Sequence, residues 1–527
     1  MTELSRADHS SKPPRVHFPR QFNAAHDLLE RNLQAGRAEK TAYIDDAGRT
    51  TFGELAMRVN RAANALIGQG LRMEERVMLV HLDSVEWVAA FLGAIKAGIV
   101  PLASNTLFTT NDYAALLLES RAQAIIVSAE LLPTLLPAVK ASPFLRRVMV
   151  SGRASPDGLH WQSLLSVAAT EFAPAPTCCD DTAFWLFSSG STGTPKGTLH
   201  LHASMMNTAE LYSRAVLGIR ESDVVFSAAK LFFAYGLGNA LSFPLAVGAT
   251  TVLMAERPTP QAVFARLKQH QATVFFGVPT LYAGLLASAE LPKPSELALR
   301  VCVSAGEALP AELGQKWLRH FGLDLLDGID STEMLHIFIS NEAGQVRYGT
   351  SGKPVPGYRM RLVNDAGAEA ALGEVADLYI NGPTAASGYW NNRDKTRATF
   401  QGEWVRSGDK YSLDADGYYT YAGRSDDMMK VSGMYVSPFE VEGVLMSHPA
   451  VLEAAVVGHN DEDRLLKPKA FIVLKQEQAG SPALATELQQ LVRSRLAPHK
   501  YPRWIEFVAE LPKTATGKIQ RFKLRAV

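Results

Sequence analysis

The pattern of apolar and polar positions in the first third of the chain alternates between two periods. Helical patterns such as FGELAMRVNRAANALIGQG (52–70) are separated by short β-rich runs such as ERVMLVHL (75–82) and AQAIIVSAE (122–130). Strands that alternate with helices are typical of a parallel α/β sheet. After a Pro-rich joint, EFAPAPTCCDD (171–181), the run TAFWLFSS (182–189) predicts a buried strand, and further strands and helices follow.

The pattern changes near residue 345 and again near residue 424. Short strands and glycine turns dominate after the first point, as in GEVADLYINGP (373–383). After GRSDDMMKVSG (423–433), the last hundred residues read as a separate small α+β unit. We therefore predict an α/β protein with a large N-terminal domain, residues 1–424, and a small C-terminal domain, residues 425–527. The large domain is predicted to hold parallel-sheet α/β subdomains and a β-rich subdomain.

The most apolar long run is VEWVAAFLGAIKAGIVPLA (85–103). Glu86, Lys96 and Pro101 interrupt it, so we predict a buried helix followed by a strand rather than a membrane span. Lys+Arg and Asp+Glu are both 53, which gives no overall basic charge for nucleic acid or an anionic membrane. The three cysteines show no metal-ligand spacing, and the start lacks the apolar core of a signal peptide, so we expect a cytoplasmic protein.

The stretch FSSGSTGTPKGTLHLH (187–202) concentrates small, hydroxylated and cationic residues between the strand 182–189 and a predicted helix at 203–218. A glycine-rich loop between a strand and a helix turns backbone amides towards an anion. The stretch does not match the P-loop pattern, because Pro195 replaces the glycine before the lysine and Gly197 replaces the metal-binding hydroxyl. The residues alone therefore indicate a phosphate site of another kind.

SSGSTGTPKG (188–197) resembles the phosphate loop of the adenylate-forming enzymes, which include acyl- and aryl-CoA ligases, luciferases and peptide-synthetase adenylation domains. The resemblance extends over nearly the whole chain, in the order GEALP (306–310), STE (331–333), SGDK (407–410), GRSDDMMKVSG (423–433) and PKTATGKIQR (512–521). KLFFAYGLGN (230–239) and STEMLHIF (331–338) resemble most the benzoate-CoA ligases. The family's small C-terminal domain is mobile, and the same is expected here.

The resemblance implies an AMP-forming acid–CoA ligase that uses ATP, Mg²⁺ and CoA. In such enzymes a carboxylate attacks the α-phosphate of ATP and releases pyrophosphate, and the CoA thiol then displaces AMP. The expected partners are a small-molecule carboxylic acid, ATP and CoA, with no nucleic acid and no membrane, in a monomer or homodimer. Three other classes stay open: an adenylation enzyme that loads a carrier protein, a luciferase-type oxygenase, and a nucleotide sensor without turnover.

The same resemblance implies a set of nucleotide-binding residues. Those expected to bind ATP or AMP are Ser188, Ser189, Gly190, Ser191, Thr192, Gly193, Lys196, Gly306, Glu307, Asp327, Gly328, Ile329, Thr332, Asp409 and Arg424. The loop would hold the β- and γ-phosphates, residues 304–308 and 327–329 the adenine, and Asp409 with Arg424 the ribose.

Catalytic roles are implied for Lys518, Lys430, Thr332 and Glu333. Glu333 would be the magnesium ligand, because a hard carboxylate suits that ion. Lys518 would bridge the acid and the α-phosphate during adenylation. The small domain would then rotate at a hinge, Asp426, and bring Lys430 and Gly433 to the CoA site.

The acid is expected to contact Ala234, Tyr235, Gly236, Asp330 and His336. Asp330 stands where the family usually has glycine, and Met206-Asn207 replace an aromatic pair of benzoate-type enzymes. We therefore expect a small hydroxy-substituted acid, either a 2-hydroxy acid like 2-hydroxyisobutyrate or a hydroxybenzoate, whose hydroxyl pairs with Asp330. The alternative is benzoate or an aminobenzoate, with Asp330 neutralised by His336 or by a backbone amide.

Two histidines, His200 and His202, follow the phosphate loop. One of them is expected near the acid site and the other against the sheet, and the sequence leaves open which is which.

Overall fold

The computed structural model describes residues 3–188, 195–425, 427–431, 434–462, 465–475, 478–513 and 519–525. Strands in these ranges are β1 Arg6–Asp8, β2 Arg15–His17, β3 Thr41–Asp45, β4 Gly48–Thr51, β5 Arg76–Val80, β6 Val100–Ala103, β7 Ala124–Ser128, β8 Arg147–Ser151, β9 Leu159–His160, β10 Thr182–Ser188, β11 Lys196–Leu201, β12 Val224–Ser227, β13 Thr250–Val252, β14 Val274–Gly277, β15 Val301–Ser304, β16 Leu325–Asp330, β17 Ile337–Ser340, β18 Lys353–Pro354, β19 Arg359–Val363, β20 Ala376–Asn381, β21 Phe400–Gln401, β22 Trp404–Leu413, β23 Tyr419–Arg424, β24 Met429–Val431, β25 Met434–Val436, β26 Val451–Asn460, β27 Leu466–Leu474 and β28 Trp504–Phe507.

The α-helices in the same ranges are α1 Ala24–Gln34, α2 Phe52–Gly68, α3 Val85–Lys96, α4 Thr110–Ser120, α5 Leu132–Ala141, α6 Trp161–Val167, α7 Ser204–Thr208, α8 Ala234–Leu237, α9 Phe243–Val247, α10 Pro260–His270, α11 Pro279–Ala287, α12 Ala311–Phe321, α13 Arg393–Thr399, α14 Pro438–Met446, α15 Pro482–Arg495 and α16 Arg521–Arg525. π-helical turns occupy Ala209–Arg214 and Gly238–Ser242, and 3₁₀ turns occupy Pro294–Glu296 and Thr332–Met334.

Two large sheets carry the N-terminal part of the chain, as the strand–helix alternation predicted. The first has the order β11-β10-β6-β5-β7-β8-β9 and is parallel except at β11. The second has the order β18-β17-β16-β15-β14-β12-β13-β3-β4, with a parallel centre and antiparallel edges. Parallel strands end at the same edge of a sheet, which is where α/β proteins bind ligands.

The apolar run 85–103 forms α3 and β6, as predicted. Ser84 caps the helix by accepting a hydrogen bond from the amide of Trp87 (3.3 Å), and every residue of α3 except Glu86 is buried. The buried Lys96 ammonium donates to Asn60 Oδ1 at 2.6 Å, which satisfies the cation inside the protein. Among the helices described, none combines the length and apolar character needed to cross a membrane.

The later part of the chain is richer in strands. β19, β20, β21, β22 and β23 form an antiparallel sheet, and β26, β27 and β28 form a three-stranded sheet packed with α14 and α15. This mixture of α/β sheets, a β-rich sheet and a small α+β unit confirms the predicted fold class. The boundary at residues 424 and 425 stays a prediction, as does the mobility of the small unit.

A second strand lies inside the stretch 187–202 and was not predicted. β10 is followed by β11, which pairs antiparallel with it, and Ser188 at the end of β10 lies directly opposite Lys196 at the start of β11. The helix predicted at 203–218 follows this strand: it begins at Ser204 and passes into the π-helical turn Ala209–Arg214.

Candidate active site

The β10–β11 hairpin carries the two described ends of the phosphate loop. Ser188 is buried, and its hydroxyl has no hydrogen-bond partner among the residues that the structure describes. Lys196 is half-buried, and burial lowers the pKa of its ammonium, an effect that the nearby Glu333 carboxylate opposes. A desolvated cation beside a buried hydroxyl suits a polyanion. Ser189, Gly190, Ser191, Thr192 and Gly193 lie outside the described residues.

A short segment, 386–390, joins this hairpin to the STE motif. The Ser387 amide donates to Leu199 O (3.0 Å) and the Trp390 amide to Gly197 O (2.9 Å), so the segment runs along β11 like an extra strand. At its other end the Ala386 amide donates to Glu333 O at 2.8 Å. A side chain at Gly197 would lie 2.9 Å from the Trp185 ring, so this close approach requires glycine.

Tyr389 in this segment contacts two predicted site residues. Its hydroxyl donates to Glu333 Oε1 at 2.7 Å, and the Lys196 ammonium lies 5.0 Å from the centre of its ring. Burial, and then the Glu333 carboxylate, raise the pKa of the Tyr389 phenol, so it stays a proton donor at neutral pH. Neither contact was predicted, because a lone tyrosine in SGYW carries no motif and lies far along the chain from both partners.

Glu333 and Thr332 belong to the 3₁₀ turn Thr332–Met334. The turn is capped by Ser331, whose hydroxyl accepts from the Met334 amide at 3.2 Å. In the described part of the chain no group of three or more His, Cys, Asp or Glu side chains could hold a metal alone. Magnesium is usually held by one or two carboxylates with substrate phosphates and water. The single carboxylate of Glu333 therefore fits magnesium that arrives with ATP.

The ends of β15 and β16 bring the predicted adenine residues together. These strands pair in parallel with Ser304 opposite Asp327, so Gly306 and Glu307 follow at the same sheet edge. Gly306 has a φ of 88°, a backbone conformation that favours glycine. Asp327 is buried, and its Oδ1 has no hydrogen-bond partner among the described residues. Burial raises the pKa of this carboxyl well above its usual range.

Gly328 and Ile329 continue β16 towards the STE motif. A side chain at Gly328 would meet Ile337 Cγ2 and Ile339 O, both at 3.0 Å, so the paired strand β17 leaves room only for hydrogen. The predicted ribose residues, Asp409 and Arg424, lie on the paired strands β22 and β23.

Two of the predicted acid residues, Tyr235 and His336, contact each other in the protein interior. The main chain of Tyr235 in α8 accepts from His336 Nε2 (3.2 Å), which also lies 3.1 Å from Asn239 Oδ1. Burial lowers the pKa of His336 to about 3, so the ring is neutral. Aromatic rings of Tyr212, Tyr235 and Phe243 pack around it at centroid distances of 5.6, 5.5 and 4.5 Å.

Ala234 and Gly236 lie with Tyr235 in the same short helix. A side chain at Gly236 would lie 2.0 Å from Lys230 O, so only glycine fits. Of the two neutralising partners expected for Asp330, a hydrogen bond from His336 is absent among the described residues. Nδ1 of His336 has no partner in the described residues, and Nε2 is bonded to Tyr235 and Asn239.

The two histidines after the loop have different surroundings. His202 Nδ1 accepts from the Ala24 amide at 3.1 Å, which places it against the start of α1. His200 is fully buried and stacks on Phe184 with centroids 5.1 Å apart. Burial lowers its pKa to about 3, although the nearby main chain of Thr332 acts to raise it. His200 is therefore the histidine beside the STE motif.

The residues predicted to act from the C-terminal part cannot be placed. Lys518, Asp426 and Gly433 lie outside the described residues, as does the side chain of Lys430, whose main chain is in β24. Their roles, and those of the other site residues, stay predictions.

The structure thus brings Lys196 of the β10–β11 hairpin and Glu333 of the STE motif to the same tyrosine, Tyr389. The chain belongs to the AMP-binding enzyme family: the family's model matches residues 29–390, and the model of the AMP-binding enzyme C-terminal domain matches residues 440–518. It is an AMP-forming acid–CoA ligase of the benzoate-CoA ligase type, which uses a carboxylic acid, ATP, Mg²⁺ and CoA.

Two curated relatives cover almost the whole chain. It is 61% identical over 528 residues to a benzoate–CoA ligase of Thauera aromatica, covering 100% of both chains. It is 50% identical to a 4-hydroxybenzoate–CoA/benzoate–CoA ligase of Rhodopseudomonas palustris, covering 96% of this chain and 94% of the relative. The preference for a hydroxy acid is not supported by these relatives, and the alternative with benzoate is supported better.

Two solved structures are similar throughout. A benzoate CoA ligase from Burkholderia xenovorans LB400 has a TM-score of 0.90 at 57% identity, covering 96% of this chain and 100% of that one. The anthranilate CoA ligase AuaEII, in complex with anthranoyl-AMP, has a TM-score of 0.92 at 45% identity, covering 97% and 98%.

Proposed function

We propose that this protein is a benzoate-CoA ligase, which joins benzoate to CoA through benzoyl-adenylate. The observation that carries the proposal is the cluster of aromatic rings around the neutral His336, two residues after the end of the turn Thr332–Met334. An aromatic wall suits the apolar ring of benzoate, whose carboxylate would then face the nucleotide. The full-length similarity to benzoate–CoA ligases supports the same acid.

We further propose how the described residues share the first half-reaction. A benzoate oxygen attacks the α-phosphorus of ATP, and the bond from that phosphorus to pyrophosphate breaks. Lys196 would hold the departing pyrophosphate, and Thr332 would donate to the α-phosphate. Asp409 and Arg424 would hold the ribose, while the unpartnered Oδ1 of Asp327 would accept from the adenine amino group. Magnesium, when bound with ATP, would neutralise phosphate charge from its place on Glu333.

The second half-reaction would use the C-terminal residues. The CoA thiol attacks the benzoyl carbonyl, and the bond from that carbon to AMP breaks. We propose that residues 425–527 rotate about Asp426 between the two steps, withdrawing Lys518 and bringing Lys430 and Gly433 to the thiol. The match of residues 440–518 to a C-terminal domain model supports a separate unit here.

The test is a panel of acids in ATP–pyrophosphate exchange, followed by thioester formation with CoA. The panel holds benzoate, the three hydroxybenzoates, 2-aminobenzoate and 2-hydroxyisobutyrate. Benzoate should give the highest kcat/KM in both assays. A higher value for any other acid would overturn the choice of benzoate, and exchange without thioester formation would indicate a carrier-protein-loading enzyme instead.

An aminobenzoate is the second candidate. Nδ1 of the neutral His336 ring is a buried lone pair without a partner among the described residues, and it could accept a hydrogen bond from an amino group on the ring. A site built for such a bond rejects the unsubstituted acid strongly. A preference for 2-aminobenzoate over benzoate by more than about 10-fold would favour this candidate.

A further inference from the structure

Main-chain hydrogen bonds hold Tyr389 in place independently of its two side-chain contacts. The Leu199 amide donates to Gly388 O (3.0 Å) and the Trp390 amide to Gly197 O (2.9 Å), so hydrogen bonds to β11 flank it on both sides. The Tyr389 amide itself donates to Thr396 Oγ1 at 3.0 Å. Its ring packs edge-on against Phe400, with centroids 5.4 Å apart. The side chain is therefore held rigidly between the hairpin and the STE motif.

We propose that Tyr389 is a positioning residue that fixes the Glu333 carboxylate with its hydroxyl and the Lys196 ammonium with its ring, so that both groups are preset for the phosphates of magnesium-bound ATP. The inference rests on the proposed ATP-dependent function and extends it to a residue outside the recognised motifs. Tyr389 acts through Glu333 and Lys196 and need not touch the substrate.

A positioning residue is needed here because the Glu333 carboxylate and the Lys196 ammonium, which Tyr389 contacts, attract each other. Tyr389 contacts both Glu333 and Lys196, yet no ion pair joins these two residues within the part of the chain described. If they formed an ion pair, the ammonium would no longer be available to bind the phosphates, and the carboxylate would no longer be available to bind magnesium. The Tyr389 hydroxyl occupies one oxygen of Glu333 at 2.7 Å, while the ring face offers Lys196 a second, uncharged partner at 5.0 Å.

Two variants separate the two contacts. Tyr389→Phe removes the hydroxyl and keeps the ring, whereas Tyr389→Leu removes both. Tyr358→Phe is the matched control: Tyr358 is also buried, and its hydroxyl lies 2.8 Å from Oγ1 of Thr384, two residues before the segment 386–390. Binding is measured by calorimetry rather than by turnover, with three probes: ATP across a magnesium series, pyrophosphate without metal, and AMP without metal.

Tyr389→Phe should raise the magnesium concentration needed for half-maximal ATP affinity by roughly 10-fold, since a hydrogen bond to a charged group is lost. Excess magnesium should restore the affinity, and pyrophosphate binding should stay unchanged. Tyr389→Leu should in addition weaken pyrophosphate binding by about 3-fold, the size expected for a partly exposed cation–π contact. AMP binding should be the same in all variants.

The outcomes are decisive in both directions. An unchanged magnesium midpoint in Tyr389→Phe would overturn the inference. Equal loss of AMP, pyrophosphate and ATP binding, or the same midpoint shift in Tyr358→Phe, would show a general structural role and also overturn it. Failure of the proposed function is distinguishable, because another acid or the absence of thioester formation would appear in the activity assays while the magnesium dependence of ATP binding still reports on Tyr389.

Discussion

Arg424 Nη1 lies 3.2 Å from Asp409 Oδ1, and the two residues face each other directly on β23 and β22. Gly408, with a φ of 78°, makes this approach possible: a side chain there would lie 3.1 Å from Arg424 Nη2. The carboxylate and guanidinium proposed to hold the ribose are thus ordered by each other. A preformed pair lowers the entropy cost of binding a nucleotide.

Asp409→Asn should weaken both ATP and AMP binding by roughly 10- to 100-fold, because hydrogen bonds to a charged acceptor are exchanged for neutral ones. The loss should be equal for the two nucleotides, since each carries the same ribose. Calorimetric titration with ATP and with AMP measures it. A loss confined to ATP would place Asp409 at the phosphates instead.

Gly238→Ala should raise the KM for benzoate at least about 10-fold. The added methyl would lie 2.3 Å from His336 Cδ2 and 3.1 Å from Phe243 Cζ, so the histidine must move, and overpacking of this kind costs roughly 1–3 kcal/mol. AMP affinity should not change, because Asp409 lies in a different sheet.

Gly443→Ala is the control for this substitution. Gly443 lies in α14 with nothing within 4 Å of an added methyl. Replacement should leave the KM for benzoate unaltered and stabilise the protein by roughly 0.5–1 kcal/mol. A KM unaffected in both variants would mean that His336 does not line the acid pocket.

His202 should make the protein sensitive to acid. Burial lowers its pKa from the ordinary 6.5 to about 4, although the Asp181 carboxylate acts to raise it. As the pH falls below 6.5 the unfolded chain binds a proton that the folded protein does not. Stability from this residue is therefore complete above pH 6.5 and is lost towards pH 4, by about 1.4 kcal/mol per pH unit.

His202→Asn tests this, because Oδ1 of asparagine can still accept from the Ala24 amide but cannot titrate. The free energy of unfolding lost between pH 7 and pH 5 should be smaller in the variant by about 2 kcal/mol. Urea unfolding midpoints at the two pH values measure the difference. Equal losses in both proteins would show that His202 does not set the acid sensitivity.

Lys518→Ala should abolish adenylation and leave CoA capture from supplied benzoyl-adenylate mostly intact. The proposed role of this lysine is confined to the first half-reaction, from a domain that then rotates away. Pyrophosphate exchange and thioester formation, assayed separately, report the two steps. Equal damage to both would contradict the division of labour.

The fold could be predicted from the sequence where the buried residues are apolar. The β10–β11 hairpin was not predicted, because the buried residues of β11 are not apolar. The run 85–103 is apolar and forms α3 and β6 as expected. In β11, by contrast, the buried positions are Gly197, Thr198 and His200, so a buried strand carries a polar pattern. His200 is buried as the neutral ring, since burial lowers its pKa to about 3, and no periodicity reveals that a histidine is buried.

The residues of the candidate site that belong to sequence motifs could be predicted, and those outside the motifs could not. Glu333 and Lys196 stand in recognisable stretches, and the structure places both beside one phenol ring. That ring belongs to Tyr389, whose position depends on main-chain pairing between 386–390 and β11. Such pairing joins segments almost two hundred residues apart, and the local sequence around a tyrosine contains no pattern that predicts it.

The acid pocket rests on two π-helical turns, Ala209–Arg214 and Gly238–Ser242, which supply Tyr212 and Asn239 to the surroundings of His336. A π-turn accommodates one residue more than an α-helical turn. Deleting one residue from either turn would return it to α-helical geometry and redirect the side chains within the turn, while the flanking α-helical residues keep their register. Single-residue deletions, and not only substitutions, are therefore a route by which this scaffold can exchange one acid for another.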